Sequence, residues 1–143
     1  MATIKRKAQA QWTGSGKEGH GALTTQSGTL KDTQYSFNTR FENGVGTNPE
    51  ELIAAAHAGC FTMALAFRLS GAGHPPKSLE TSAEVSLTQD GAGWKIAAVA
   101  LALKGSVPGI TREQFLGHAE EAKKTCPVSR VLNAEIKLTA EFV

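Results

Sequence analysis

The run from Leu52 to Leu69 constrains the fold more than any other stretch of the chain. It is apolar almost throughout and rich in small residues: Ala54, Ala55, Ala56, Ala58 and Gly59. Its start is marked by Asn48, a good N-cap, by Pro49, which suits the first helical position, and by Glu50 and Glu51, which favour the positive end of the macrodipole. Its end is marked by Gly71-Ala72-Gly73-His74-Pro75-Pro76, since neither proline can continue a helix. The pattern predicts one long helix whose small side chains let a second helix or a partner subunit approach closely. His57, Thr62 and Arg68 interrupt the run before ~18 uninterrupted apolar residues are reached, so it reads as a buried core helix and not a membrane span.

Strands are predicted on either side of this helix. Thr3 to Trp12 has a period of two, with Ile4, Arg6, Ala8, Ala10 and Trp12 on one face. Gly14 to Lys17 reads as a turn, Ala22 to Gln26 as a second strand, and Thr33 to Arg40 as a third that points Arg40 away from Tyr35 and Phe37. After the helix, Thr81 to Gln89 and Gly93 to Lys104 flank Asp90-Gly91-Ala92-Gly93, a hairpin signal. A second helix opens on the capping box Thr111-Arg112-Glu113-Gln114, with Phe115, Ala119, Ala122 and Cys126 as its inner stripe. Pro127 breaks it or begins a short helix to Leu132, and Ala134 to Val143 closes the chain as an alternating strand. The order predicts an α+β fold, with residues 1–143 as a single domain.

Cys60, inside the long helix, and Cys126, directly before Pro127, are the two cysteines of 143 residues. No secretory signal precedes them: the basic start Lys5-Arg6-Lys7 lacks an apolar segment after it. The chain therefore reads as cytoplasmic, where a structural disulfide is a poor expectation and a working dithiol a better one. A net charge of +2 is too small to suggest nucleic acid, and the basic triplet reads as a solvated strand edge. A buried thiol in mid-helix lies beyond the helix dipole and is pushed towards its neutral form, so its activation needs a nearby cation. Arg40, poised by Glu50 or Glu51, is the candidate.

Three other readings remain open on the residues alone. His57 stands three positions before Cys60 and gives a hydrolase a possible base, although no orienting carboxylate or oxyanion donor is evident. Cys60, His57, Cys126 and His118 offer zinc-type ligands without a C-x-x-C pairing. Both cysteines also suit the core of a non-enzymatic, dimeric ligand-binding module.

The segment Phe37-Asn38-Thr39-Arg40-Phe41-Glu42, the stretch from Gly46-Thr47-Asn48-Pro49-Glu50 through His57-Ala58-Gly59-Cys60-Phe61, and the distant Cys126-Pro127-Val128-Ser129 together resemble the osmotically inducible protein C and organic hydroperoxide resistance (OsmC/Ohr) family. The likeness is greatest to its OsmC branch. The other branch takes its arginine from the first hairpin, where this chain offers Lys17 and His20. The resemblance implies an OsmC-like fold, with antiparallel strands packed around a long central helix and a second helix in an intertwined homodimer. It implies a thiol peroxidase that reduces organic hydroperoxides and, less well, hydrogen peroxide. Cys60 matches the peroxidatic cysteine, Cys126 the resolving one, and Arg40 and Glu50 the pair that activates the thiolate. It further implies no bound cofactor, no metal and no membrane or nucleic-acid partner. The electron donor it implies is an external dithiol, a dihydrolipoyl group on a lipoylated protein or a small dithiol. In one continuous helix Glu50 and Cys60 stand ~15 Å apart and roughly 80° out of phase. The expectation is therefore a helix break near 55–59 or a site completed across subunits.

Overall fold

Alternation builds the sheets, and the small-residue run builds the helix between them. In the computed structural model, which describes residues 2–143, the chain forms two compact units that divide between Pro49 and Glu50. The N-terminal unit holds a three-stranded antiparallel sheet of β1 (Ala8–Thr13), β2 (His20–Thr25) and β3 (Thr33–Tyr35), in that order. β1 begins at Ala8, not Thr3, so the basic triplet precedes the strand. The expected third strand also stops early. Beyond Tyr35 the chain turns into a short helix, α1 (Phe37–Phe41), because Ser36 and Thr39 cap each other reciprocally: Thr39 N–H donates to Ser36 Oγ and Ser36 N–H to Thr39 Oγ1. Arg40 thus lies in the last turn of a helix and not on a strand face.

The long helix α2 (Pro49–Gly71) is continuous, and the expected break near 55–59 is absent. Its alanines are the best helix formers, and a single Gly59 costs only about 1 kcal/mol. One stripe of α2 is buried: His57, Phe61, Leu65 and Leu69 recur every fourth residue. The opposite stripe carries Ala55, Gly59, Met63 and Phe67, and it is exposed, Met63 at 63% and Phe67 at 72%. The helix is therefore core on one side only. By length and composition alone it is apolar enough to cross a membrane, the one such helix among the described residues.

The C-terminal unit continues with β4 (Ser78–Asp90) and β5 (Gly93–Ser106), an antiparallel hairpin closed by Gly91-Ala92, with a bulge where Ser86 gives way to Leu87. Gly91 has φ +63°, the left-handed conformation that this two-residue turn requires. α3 (Arg112–Thr125) follows, capped by Thr111 and Gln114, then the single turn α4 (Pro127–Val131) and β6 (Glu135–Phe142). β6 lies parallel to β5, which departs from the antiparallel expectation. The α3–α4 excursion is a crossover long enough to bring the chain back in the same direction. The core gathers Phe61, Leu65 and Leu69 of α2, Val99, Leu101 and Leu103 of β5, and Phe115, Ala119 and Ala122 of α3.

Phe115 sits where β5 has Gly105. Its ring packs against Phe142, centroids 5.0 Å apart, and a Cβ on Gly105 would meet Phe115 Cζ at 2.5 Å. Gly105→Ala is expected to destabilise the protein by about 1–3 kcal/mol through overpacking. Urea unfolding measures it, and an unchanged midpoint would show that the Phe115 ring yields freely.

Candidate active site

Two helices converge on the sulfurs. α2 carries Cys60 three residues after His57, about 60° around the helix, so Cys60 borders both the buried stripe and the exposed one and is itself half-buried. Cys126 ends α3 and starts α4, donating its N–H to Ala122 O at 3.0 Å and accepting at its carbonyl from Arg130 N–H at 3.1 Å. It is fully buried. Pro127 stops α3 at this point and restarts the chain in a new direction, which aims the Cys126 side chain at α2. The Sγ atoms stand 2.9 Å apart, and both are free thiols. The gap is wider than a disulfide at ~2.05 Å and narrow enough to close by a shift of about 1 Å.

Electrostatics within this unit oppose ionisation of Cys60. Burial pushes its thiol pKa up, and the Cys126 sulfur, by hydrogen bond and by charge, pushes it the same way. The backbone N–H of Val128, in the first turn of α4, pulls in the opposite direction.

His57 is 0% exposed, and its Nε2 lies 2.8 Å from Ser129 Oγ on α4. Its Nδ1 is buried with no hydrogen-bond partner, so it does not serve Cys60 as a base. Burial lowers the imidazole pKa and keeps the ring neutral. The hydrolase dyad suggested by the His57–Cys60 spacing is therefore not formed. His118 is half-buried on α3, and among the described residues no three His, Cys, Asp or Glu groups gather to hold a metal. Sequence reasoning missed Ser129 as a partner. Its only signal is its place one helical turn after Cys126.

The other two expected residues are carried by different elements. Arg40 belongs to the N-terminal unit, where its guanidinium carbon sits 5.4 Å from the Phe41 ring centroid beside a small cleft lined by Trp12, Tyr35 and Phe37. Glu50 is 8% exposed in the first turn of α2. Because α2 is unbroken, the ten-position separation of Glu50 and Cys60 in one chain places them ~15 Å apart along its axis.

A family model described as OsmC-like protein matches residues 41–141. The chain belongs to the OsmC-like family. It is 52% identical over 136 residues to peroxiredoxin OsmC of Escherichia coli, covering 95% of each protein. It is also similar to organic hydroperoxide resistance protein OhrB of Bacillus subtilis, at 30% identity over 142 residues covering 96% of this chain and 98% of that protein. Superposed on the crystal structure of that OhrB, it gives a TM-score of 0.73 at 28% identity, covering 98% of this chain and 100% of the other. The α+β architecture is thus that of the OsmC-like family.

The neutral, buried His57 makes stability pH-dependent. An unfolded chain takes up a proton at His57 near pH 6.5, whereas the folded chain does so only at lower pH. The contribution is therefore present above about pH 6.5 and is lost as pH falls through the depressed folded value. Urea midpoints compared at pH 7.5 and 5.5 should fall less in His57→Phe than in the unsubstituted protein. Equal falls would assign the acid sensitivity to other groups.

Proposed function

We propose that this chain is a cytoplasmic thiol peroxidase acting on organic hydroperoxides, with residues 1–143 as one catalytic domain. The observation that carries the reading is the 2.9 Å separation of the Cys60 and Cys126 sulfurs across two helices. The kinship with peroxiredoxin OsmC and organic hydroperoxide resistance proteins supports it.

In this mechanism the half-buried Cys60 is the attacking sulfur and the fully buried Cys126 the resolving one. The Cys60 thiolate attacks the terminal oxygen of ROOH, the O–O bond breaks, and RO⁻ leaves with the electron pair and takes up a proton as ROH. Cys60 becomes a sulfenic acid. The Cys126 sulfur then attacks the Cys60 sulfur, expels hydroxide, and surrenders its own proton so that water leaves and a disulfide remains. An external dithiol, of the dihydrolipoyl type, exchanges with that disulfide in two steps, restoring both thiols as it becomes a cyclic disulfide itself.

Arg40 and Glu50 complete the proposal. The environment of Cys60 in its own unit raises its pKa, so a cation must be supplied, and an arginine held by a glutamate can bond both thiolate and peroxide oxygen. Since α2 is unbroken, we assign Glu50 to the Cys60 of a second copy, in a homodimer whose contact includes the exposed stripe of α2.

Thiol titration before and after one equivalent of cumene-type hydroperoxide tests the chemistry. Two thiols should disappear without a covalent dimer. Cys60→Ser should consume no peroxide, and Cys126→Ser should complete one turnover and then stall or over-oxidise. Survival of both thiols in the unsubstituted protein would refute the peroxidase.

Subunit mixing tests the sharing of the site. Cys60→Ser and Glu50→Gln chains, each inactive alone, should regain about a quarter of full activity when co-refolded, because half the dimers are mixed and each has one intact site. No recovery would place Glu50 and Cys60 function in the same chain, and activity of Glu50→Gln alone would remove Glu50 from the site.

A further inference from the structure

Resolution requires that Cys126 stay beside Cys60 while that sulfur gains an oxygen. Cys126 is held between α3 and a helix of one turn, and an isolated turn this short has little stability of its own. Cys126 provides no side-chain cap to α4. Val128 and Leu132 pack against the core, and beside the sulfur contact a side-chain hydrogen bond ties the turn directly to α2: His57 to Ser129, 2.8 Å long, joining the helix of the attacking sulfur to the turn of the resolving one. His57 precedes Cys60 by one helical turn, and Ser129 follows Cys126 by one. The bond thus runs beside the 2.9 Å sulfur contact, one turn removed on each helix.

The tautomer follows from the same surroundings. Nδ1 has no partner and no exposure. An orphaned buried N–H is rarer than an orphaned acceptor, so the ring proton belongs on Nε2, which donates to Ser129 Oγ. Burial keeps this imidazole from gaining a second proton, so the ring remains a fixed single donor across the physiological range.

We infer that His57, through Ser129, is a positioning residue for the resolving step: it holds the α4 turn so that Cys126 meets the Cys60 sulfenic acid before a second peroxide does. The inference rests on the proposed peroxidase chemistry. The pair touches neither peroxide nor leaving group, so loss of the bond affects closure of the disulfide and leaves the first attack nearly unchanged. Loss of a neutral buried hydrogen bond corresponds to a fold-change of about 5–10 in the step it supports.

Single-turnover mixing with cumene-type hydroperoxide, read by quenching and mass spectrometry, separates peroxide consumption, disulfide appearance and Cys60 sulfinic acid. In Ser129→Ala, consumption should remain within about 2-fold of the unsubstituted rate while closure slows about 5–10-fold, and sulfinic acid should accumulate at excess peroxide. Ser129→Thr, which keeps the hydroxyl, should restore closure. His57→Phe should reproduce the Ser129→Ala defect, and the double variant should be no worse than either single one, since both act through one bond. Normal closure in Ser129→Ala overturns the inference, as does an equal fall in consumption and closure that Ser129→Thr does not rescue. Failure of the unsubstituted protein to lose thiols would instead overturn the peroxidase reading beneath it.

Discussion

Burial of one stripe of α2 is the constraint on which the rest of the C-terminal unit depends. His57, Phe61, Leu65 and Leu69 fix the rotation of the helix about its axis, with β5 and α3 supplying the other residues of the core. Once that rotation is set, Cys60 must fall at the border between the buried and exposed stripes. The inner stripe of α3, Phe115, Ala119 and Ala122, fixes the second helix in the same way and delivers Cys126 at its end. Two buried registers, neither containing a sulfur until its edge or end, therefore bring the cysteine sulfurs to 2.9 Å.

The same burial that positions Cys60 works against it. A thiol removed from water resists ionisation, and a second sulfur alongside adds to the penalty. Cys126 cannot be brought this close without that cost, because proximity to Cys60 and destabilisation of its thiolate have one cause. The backbone N–H of Val128 offsets part of it, and it does so from the turn that Cys126 itself begins. Under the proposed mechanism the remainder falls to Arg40 and Glu50. An arrangement in which activation arrives from another copy lets the pair of sulfurs be packed as core without being permanently reactive.

The elements with strong periodicity or explicit punctuation were legible from the sequence. Asn48-Pro49 starts α2, Thr111 and Gln114 start α3, Asp90 to Gly93 closes the hairpin, and Pro127 ends α3, all as their residue types require. The misreadings came from weaker signals. Thr33 to Arg40 alternates like a strand, but Ser36 and Thr39 cap a helix with side chains that are not the usual Ser/Thr-to-Glu/Gln box. The parallel placement of β6 could not come from its own alternation, since a strand's face pattern is the same in either direction. Of the site, the thiol pair was legible because Cys60 lies within the apolar run of α2 and Cys126 ends the inner stripe of α3. The Ser129 partner of His57 was not, because a hydrogen bond across 72 positions leaves no local pattern.

The exposed stripe of α2 bears on how the proposed second copy is used. Met63 and Phe67 are far too exposed for a helix with this composition, and Gly59 on the same side has open space around its Cα. A stripe with small residues at one end and two large ones at the other suits antiparallel approach of an identical helix, in which the large side chains of one copy fill space over the small ones of the other. Lipid would demand no such shape, and Ser70 continues the stripe with a polar group. Because Cys60 borders this stripe, whatever covers it also roofs the Cys60 sulfur. Dimerisation would then set both the composition of the helix and the access of peroxide to Cys60, so that the feature which dominates the sequence and the one which dominates the chemistry are two sides of one helix.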